Sequence, residues 1–150
     1  MLHLFSDNMF PTLAFNDGGS GKVIIFLHGI GGNKSNWDYQ FADLKDSYRC
    51  IAWDARGYGD SSDYAADLQF SDFRNDLLRL MDYLNLEAAH LCGLSMGGRI
   101  ALDFYDFEPS RVDSLILADT FPGFEDSFTH EERERFIELR RRPLVEGKEP

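Results

Sequence analysis

The sequence predicts an α/β domain built on a parallel sheet, and three observations predict it. Strand-like and helix-like stretches alternate from residue 23 to residue 119, the pattern of strands joined by right-handed helical crossovers. Val23-Ile24-Ile25-Phe26-Leu27 is an unbroken β-branched and aromatic run, as a strand covered on both faces requires. Gly93-Leu94-Ser95-Met96-Gly97 stands between a short strand pattern (Ala89, Leu91) and a helical one (Ile100, Ala101, Phe104, Tyr105). That context is a sharp strand-to-helix turn with a serine at its tip. The glycines let the backbones of strand and helix come close, and the helix N-terminus favours negative charge beside the serine.

In chain order, residues 12–17 alternate polar and apolar and read as an edge strand, closed by the turn Asp17-Gly18-Gly19-Ser20-Gly21. The 23–27 strand runs into the glycine-rich loop His28-Gly29-Ile30-Gly31-Gly32. Trp37, Phe41 and Leu44 recur at helical spacing, so residues 36–46 form a short helix. Tyr48–Trp53 is the next strand, followed by the turn-rich loop from Asp54 to Ser61. Phe70, Phe73, Leu77, Leu80 and Leu84 mark one helix face, with Ser71 as the expected N-cap, Asp72 suiting the helix dipole, and no capping box. The elbow strand covers Ala89–Ser95, and its helix runs to Phe107, before Pro109. Val112–Asp119 reads as another buried strand. From Thr129 the chain is charge-dense: Glu131–Arg135 and Glu138–Arg142 are spaced for pairing, Phe136 and Leu139 supply apolar contacts, and Pro143 is expected to end the helix. This segment reads as a solvated surface helix or as the start of a lid.

Composition narrows the classes. A chain of 150 residues is at most one domain, here read as a core over 1–122 and the beginning of a cap over 123–150. The net charge of −11 argues against nucleic acid and anionic membranes as partners. Arg140-Arg141-Arg142 is too short and too interleaved with acids to be a nucleic-acid patch. The N-terminal stretch lacks a signal-peptide pattern, and the apolar run Val23–Leu27 is far too short to span a bilayer. Cys50 and Cys92 fall on predicted strands; if those strands flank a third, they lie about 9–10 Å apart, too far for a disulfide. Reduced core cysteines fit a cytoplasmic protein. No metal-ligand cluster and no phosphate-binding loop is visible, so no metal and no cofactor is expected.

Strands of such a sheet present ligands at their carboxyl ends. The His28–Gly32 loop, the Asp54–Ser61 loop, Ser95 and Asp119 all fall there. These three motifs together, His28-Gly29-Ile30-Gly31-Gly32, Asp54-Ala55-Arg56-Gly57-Tyr58-Gly59-Asp60-Ser61 and Gly93-Leu94-Ser95-Met96-Gly97-Gly98, resemble the α/β-hydrolase fold superfamily. Within it the chain is most similar to 3-oxoadipate enol-lactonases and ring-cleavage-product hydrolases, over nearly its whole length. The resemblance implies Ser95 as nucleophile and the backbone N–H groups of Ile30 and Met96 as an oxyanion hole. It implies His28, Gly29 and Gly31 as loop or pocket-lining residues, Asp119 as a candidate acid, and a small carboxylic ester, enol-lactone or related carbonyl compound as substrate. A serine at this position also argues against the dehalogenase and epoxide-hydrolase branches, which attack with a carboxylate.

A serine hydroxyl needs a base, and the family order places the histidine late, after the acid. The four histidines here are His3, His28, His90 and His130. His90 is about 16 Å from Ser95 along its strand, His28 reads as a loop brace, His3 lies in a terminus expected to be mobile, and His130 opens the cap. The expectation is therefore an N-terminal part of a larger hydrolase, whose C-terminal half, in the same gene product or a separate chain, supplies the base. The 112–119 strand would then present an open apolar edge. The competing expectation is a catalytically incomplete fragment or a ligand-binding protein that keeps the pocket without the chemistry.

Overall fold

The computed structural model describes residues 2–6, 11–64, 67–123 and 128–146. The remaining residues of the expected cap, 124–127 and 147–150, lie outside them. Its centre is a six-stranded sheet: β1 (Leu2–Phe5), β2 (Leu13–Gly18), β3 (Val23–Leu27), β4 (Arg49–Trp53), β5 (Ala89–Leu94) and β6 (Val112–Ala118), in the order β1-β2-β4-β3-β5-β6. β4, β3, β5 and β6 are parallel, and β1 and β2 extend the sheet antiparallel. The helices are α1 (Asp38–Leu44), preceded by a 3-10 turn over Lys34–Trp37, then α2 (Phe70–Tyr83), α3 (Met96–Phe107) and α4 (His130–Val145).

Each parallel strand is predicted within a residue or two, and the mixed edge is not. Residues 13–18 do not form an edge strand, because Leu2–Phe5 pairs outside them, Leu2 opposite Asn16 and Phe5 opposite Leu13. Leu2–Phe5, expected to lie in a mobile terminus, is thus paired into the sheet. The His3 ring stacks on Phe15 at 5.2 Å, and Phe5 is buried against Tyr83 at 4.3 Å. The signal that hid β1 is its length: four residues are too few to show a period.

β3 continues to β4 on one side, and the chain then crosses back to form β5 on the other. The carboxyl end of β3 is therefore a topological switch point, where a crevice opens between diverging connections. The loop after β3 and the serine after β5 meet there because Leu27 is paired with Gly93.

One sheet face carries the main core, in which Ile25, Leu27, Ile51, Trp53 and Leu91 meet Phe73, Leu77 and Leu80 of α2 and Ile100 and Phe104 of α3. The opposite face is covered over β3 and β4, where Ile24, Phe26, Cys50, Ala52 and Cys92 meet Trp37. Cys50 stands opposite Ile24 and Cys92 opposite Phe26 on the two sides of β3, both as free buried thiols pushed above their ordinary value by burial. β6 departs from the expectation of a buried strand. It is the sheet's other edge, with Ile116 48% and Leu117 42% exposed, so the apolar run reports an open edge rather than a covered strand.

Two helix termini correct the sequence reading. α2 begins one residue after Gln69, not at Ser71, and the Gln69 N–H donates to Asp72 Oδ2 at 2.9 Å. The capping box excluded by placing Ser71 at the N-cap exists with its register moved back by two. α4 is capped by Thr129, whose N–H donates to Glu132 Oε2 at 2.8 Å and whose hydroxyl accepts from the Glu132 N–H at 3.3 Å. The Thr129 N–H and the Thr129 hydroxyl, which also donates to Glu132 Oε2 at 2.9 Å, hold the exposed Glu132 carboxyl below its ordinary value. α4 does not end at Pro143 but continues to Val145, with the Glu146 N–H donating to Arg142 O at 3.0 Å. A proline so near the end removes one N–H donor from the ladder, and the last turn closes around the gap. Arg142 pairs with Glu146 at 2.8 Å rather than with Glu138, and Leu139 is 60% exposed. Phe136 of this helix meets Phe128 at 5.8 Å.

Candidate active site

Ser95 stands between β5 and α3 with φ 52° and ψ −112°, a conformation that costs a non-glycine residue about 1–3 kcal/mol. Such strain persists only where the surroundings over-determine it. A Cβ on Gly93 would run into the Gly97–Gly98 backbone, and one on Gly97 would run into Leu27 O and lie 2.8 Å from His28 O. The two glycines thus let α3 start directly on top of β5 and β3. Ser95 itself is exposed.

The loop after β3 lies against the serine. A Cβ on Gly29 would stand 3.3 Å from Ser95 Cβ. The loop closes as a turn, with the Gly32 N–H donating to Gly29 O at 3.1 Å and Gly31 at φ 75°. Among the described residues, neither the Ile30 N–H at the turn's corner nor the Met96 N–H at the start of α3 has a hydrogen-bond acceptor. Ile30 is 65% exposed.

His28 is fully buried, and both ring nitrogens are engaged. Nδ1 lies 2.8 Å from Gly29 O and Nε2 accepts from the Ala55 N–H at 3.0 Å. These partners require a neutral ring with its proton on Nδ1. Burial pushes its pKa below the ordinary value, partly offset by the bond to Gly29 and the charge of Asp54. With Tyr58 edge-on at 5.0 Å, His28 is a brace joining the loops after β3 and β4.

The resemblance implies that the Asp and Arg of the Asp54–Ser61 loop tie it down, and the partner the sequence does not announce is Lys34. Asp54, fully buried, accepts from the Lys34 N–H at 2.6 Å, from Lys34 Nζ at 2.5 Å and from the Asp60 N–H at 2.9 Å. Lys34 Nζ also reaches Asp60 at 2.7 Å. Burial alone would lower the Lys34 ammonium. Its hydrogen bonds and charge contacts with Asp54 and Asp60 outweigh that and hold it above its ordinary value. The same loop is tied to α2 by Arg56, which grips the buried Asp76 at 2.6 and 2.8 Å. Its guanidinium is held up chiefly by that bond. Burial pushes the Asp76 carboxyl above the usual carboxylate value, against the pull of Arg56 and Arg79. Lys34 carries no local signal of this role, since nothing near it in sequence announces a partner twenty positions away.

Asp119 follows β6, exposed and at φ 45°. Leu94 is paired with Ala118, so Ser95 and Asp119 end neighbouring strands. Among the described residues no histidine is hydrogen-bonded to Ser95 or Asp119. His90 lies at the start of β5 and meets Ser114 Oγ at 2.8 Å, and His130 faces Glu134 at 3.9 Å on α4. No group of three or more metal-binding side chains occurs among the described residues, and no described helix is long and apolar enough to cross a membrane.

The structure thus places an exposed serine in a strained turn at the switch point, against the loop after β3. The profile of the alpha/beta hydrolase fold family matches residues 22–140, and the chain belongs to that family. It is 33% identical to 3-oxoadipate enol-lactonase 1 of Acinetobacter baylyi over 109 residues, 73% of this chain and 41% of the lactonase. It is 35% identical over 133 residues to the dihydrolipoyllysine-residue acetyltransferase component of the acetoin cleaving system of Cupriavidus necator, 86% of this chain and 35% of that protein. Among solved structures, a carboxylesterase of Nitrososphaera gargenis superposes with TM-score 0.82 at 26% identity, over 98% of this chain and 54% of the esterase. The chain thus spans about two fifths or less of these two curated relatives and about half of that structure.

Proposed function

We propose that this chain carries the nucleophile and oxyanion-hole portion of a serine hydrolase that acts on a small carboxylic ester, enol-lactone or related carbonyl compound. The observation that carries the reading is the Ser95 elbow: an exposed serine held at φ 52° at the start of α3, against the loop after β3, where a Cβ on Gly29 would stand 3.3 Å from Ser95 Cβ. Ser95 Oγ attacks the carbonyl carbon and the Met96 and Ile30 N–H groups receive the developing oxyanion, each worth about 3 kcal/mol of barrier. Gly29 and Gly31 shape the turn that presents Ile30, and His28 braces it. Asp119 is the candidate acid. Attack leaves a proton that a base must take. His28 cannot be that base, because both its nitrogens are already bonded inside the fold. The base comes from a further segment, which would also cover the open β6 edge. Residues 123–150 then begin the cap. Two buried reduced thiols fit a cytoplasmic setting.

The lactonase and esterase relatives support hydrolysis, and the acetyltransferase-component relative shows that a protein named for acyl transfer also carries such a sequence. A second reading has one observation in its favour, the lack of a histidine bonded to Ser95 among the described residues: a ligand-binding protein that keeps the pocket without turnover. A fluorophosphonate probe followed by intact-mass analysis separates the two. One adduct on Ser95, abolished by Ser95→Ala, is expected for the hydrolase. An unmodified wild-type chain in the full natural gene product would overturn it and favour the binding reading.

A further inference from the structure

Ser95 is gripped at both of its backbone polar groups by the end of β6. Its N–H donates to Ala118 O at 2.9 Å, and its carbonyl oxygen accepts from the Thr120 hydroxyl at 2.7 Å. The residue between these two anchors, Asp119, has φ 45°. In an extended strand, residues 118 and 120 would present alternate main-chain groups along a straight edge. The left-handed turn at Asp119 bends the chain, so a carbonyl from one residue and a hydroxyl from the next but one both reach Ser95. Asp tolerates that conformation better than most residues.

The Thr120 side chain has a prepared seat. A Cβ on Gly98 would stand 2.6–2.8 Å from Thr120 Cγ2, Cβ and Oγ1, so only glycine at 98 leaves room for it. This accounts for the second glycine of Gly97-Gly98, which the elbow geometry alone does not demand. Gly97 makes room for β3, and Gly98 makes room for Thr120.

The consequence lies in the Ser95–Met96 peptide. A trans peptide unit is planar, with its C=O and N–H pointing in opposite directions. Whatever fixes the Ser95 carbonyl therefore fixes the Met96 N–H at the other end of the same plane. The Ser95 carbonyl already accepts the first bond of α3, from the Arg99 N–H at 3.1 Å. The Thr120 hydroxyl takes the remaining lone-pair direction, so the plane is held from two sides.

We infer that Thr120 is a positioning residue of this site: through the Ser95 carbonyl it aims the Met96 N–H and holds the strained serine in place. This rests on the reading of Ser95 as nucleophile and Met96 as oxyanion donor. Thr120 touches neither substrate nor the reacting oxygen. Its contribution belongs to the tetrahedral state, where the donor is used, more than to substrate binding.

The test compares Thr120→Val, which keeps the shape and removes the hydroxyl, with Thr120→Ser, which keeps the hydroxyl. Both are made in the full natural gene product, with Ser95→Ala as the blank. The rate of fluorophosphonate labelling and the kcat and KM for a p-nitrophenyl ester are read together with thermal unfolding. Removing an oxyanion donor outright costs about a hundredfold or more in kcat. A donor left in place but misaimed is expected to cost about tenfold, in kcat and labelling alike, with KM within about twofold and Thr120→Ser close to wild type. Wild-type rates in Thr120→Val overturn the inference. Equal losses in both variants overturn it too, since the hydroxyl would then not be what matters. A wild-type protein that does not label at all removes the reading of Ser95 itself, and the inference falls with it.

Discussion

Gly97→Ala gives the most direct test of how the site is assembled. Gly97 lies in the first turn of α3, where alanine would ordinarily stabilise a helix by about 1 kcal/mol. The structure predicts the opposite sign. The new Cβ would overlap Leu27 O and stand 2.8 Å from His28 O. Both obstacles are backbone atoms of β3 and its loop, with no rotamer to turn aside. Non-bonded heavy atoms rest about 3.5–4.0 Å apart, so with Leu27 O overlapped by the new Cβ, relief needs α3 to move about 1.5 Å from β3. Overpacking of this kind costs about 1–3 kcal/mol. Here the upper end applies, leaving a net loss of about 2 kcal/mol after the gain in propensity. For a chain of this size that lowers the midpoint by about 4–8 °C. The same shift carries Ser95 away from the Ile30 N–H, and about 1 Å of misplacement costs about a hundredfold in rate. Circular dichroism melting and fluorophosphonate labelling measure the two effects separately. An unfolding midpoint within about 1 °C of wild type, with normal labelling, would refute the close approach of α3 to β3 and the argument built on it.

Two further outcomes follow from the loop ties. Lys34→Met leaves the buried Asp54 with two backbone N–H donors and no cation, and is expected to cost about 3 kcal/mol in urea unfolding. A loss under about 0.5 kcal/mol would place the pair with ordinary surface ion pairs. His28 sets a pH dependence whose sign is fixed by its burial. Its native pKa lies below the ordinary value, so as pH falls below about 6.5 the unfolded chain takes up a proton that the native ring refuses. His28 therefore makes stability fall with falling pH, with a slope of up to about 1.4 kcal/mol per unit until the native pKa is reached. Urea midpoints between pH 7 and 5 should show that slope, and His28→Asn should flatten it. An equal slope in the variant would contradict the neutral, doubly bonded ring.

Much of this molecule is legible from local sequence because its signals are local. Val23–Leu27 announces a covered parallel strand, and Gly93 to Gly98 announces a strand, a turn and a helix in immediate succession. In both cases the residues that give the signal are those that pack or bend. Cys50 and Cys92 could be assigned to strands from local pattern, and the order that puts β3 between them came from the fold. β1 was missed because four residues cannot show a period, and Gln69 because its cap partner Asp72 was read in the wrong register.

The sequence alone determined the alternating α/β pattern, the serine elbow and the rim on which His28–Gly32, Asp54–Ser61, Ser95 and Asp119 fall. These follow from side-chain period and from glycine, both properties of a residue and its near neighbours. Only the tertiary structure decided that β1 covers β2 and that both nitrogens of His28 are engaged. The Lys34–Asp54–Asp60 tie and the Thr120 grip on Ser95 belong to the same class. Each of these depends on which strand lies beside which, and the loop ties join groups twenty or more positions apart. A chain's local preferences do not encode such a bond. It exists only once burial of the apolar faces has brought the two loops onto one edge of the sheet.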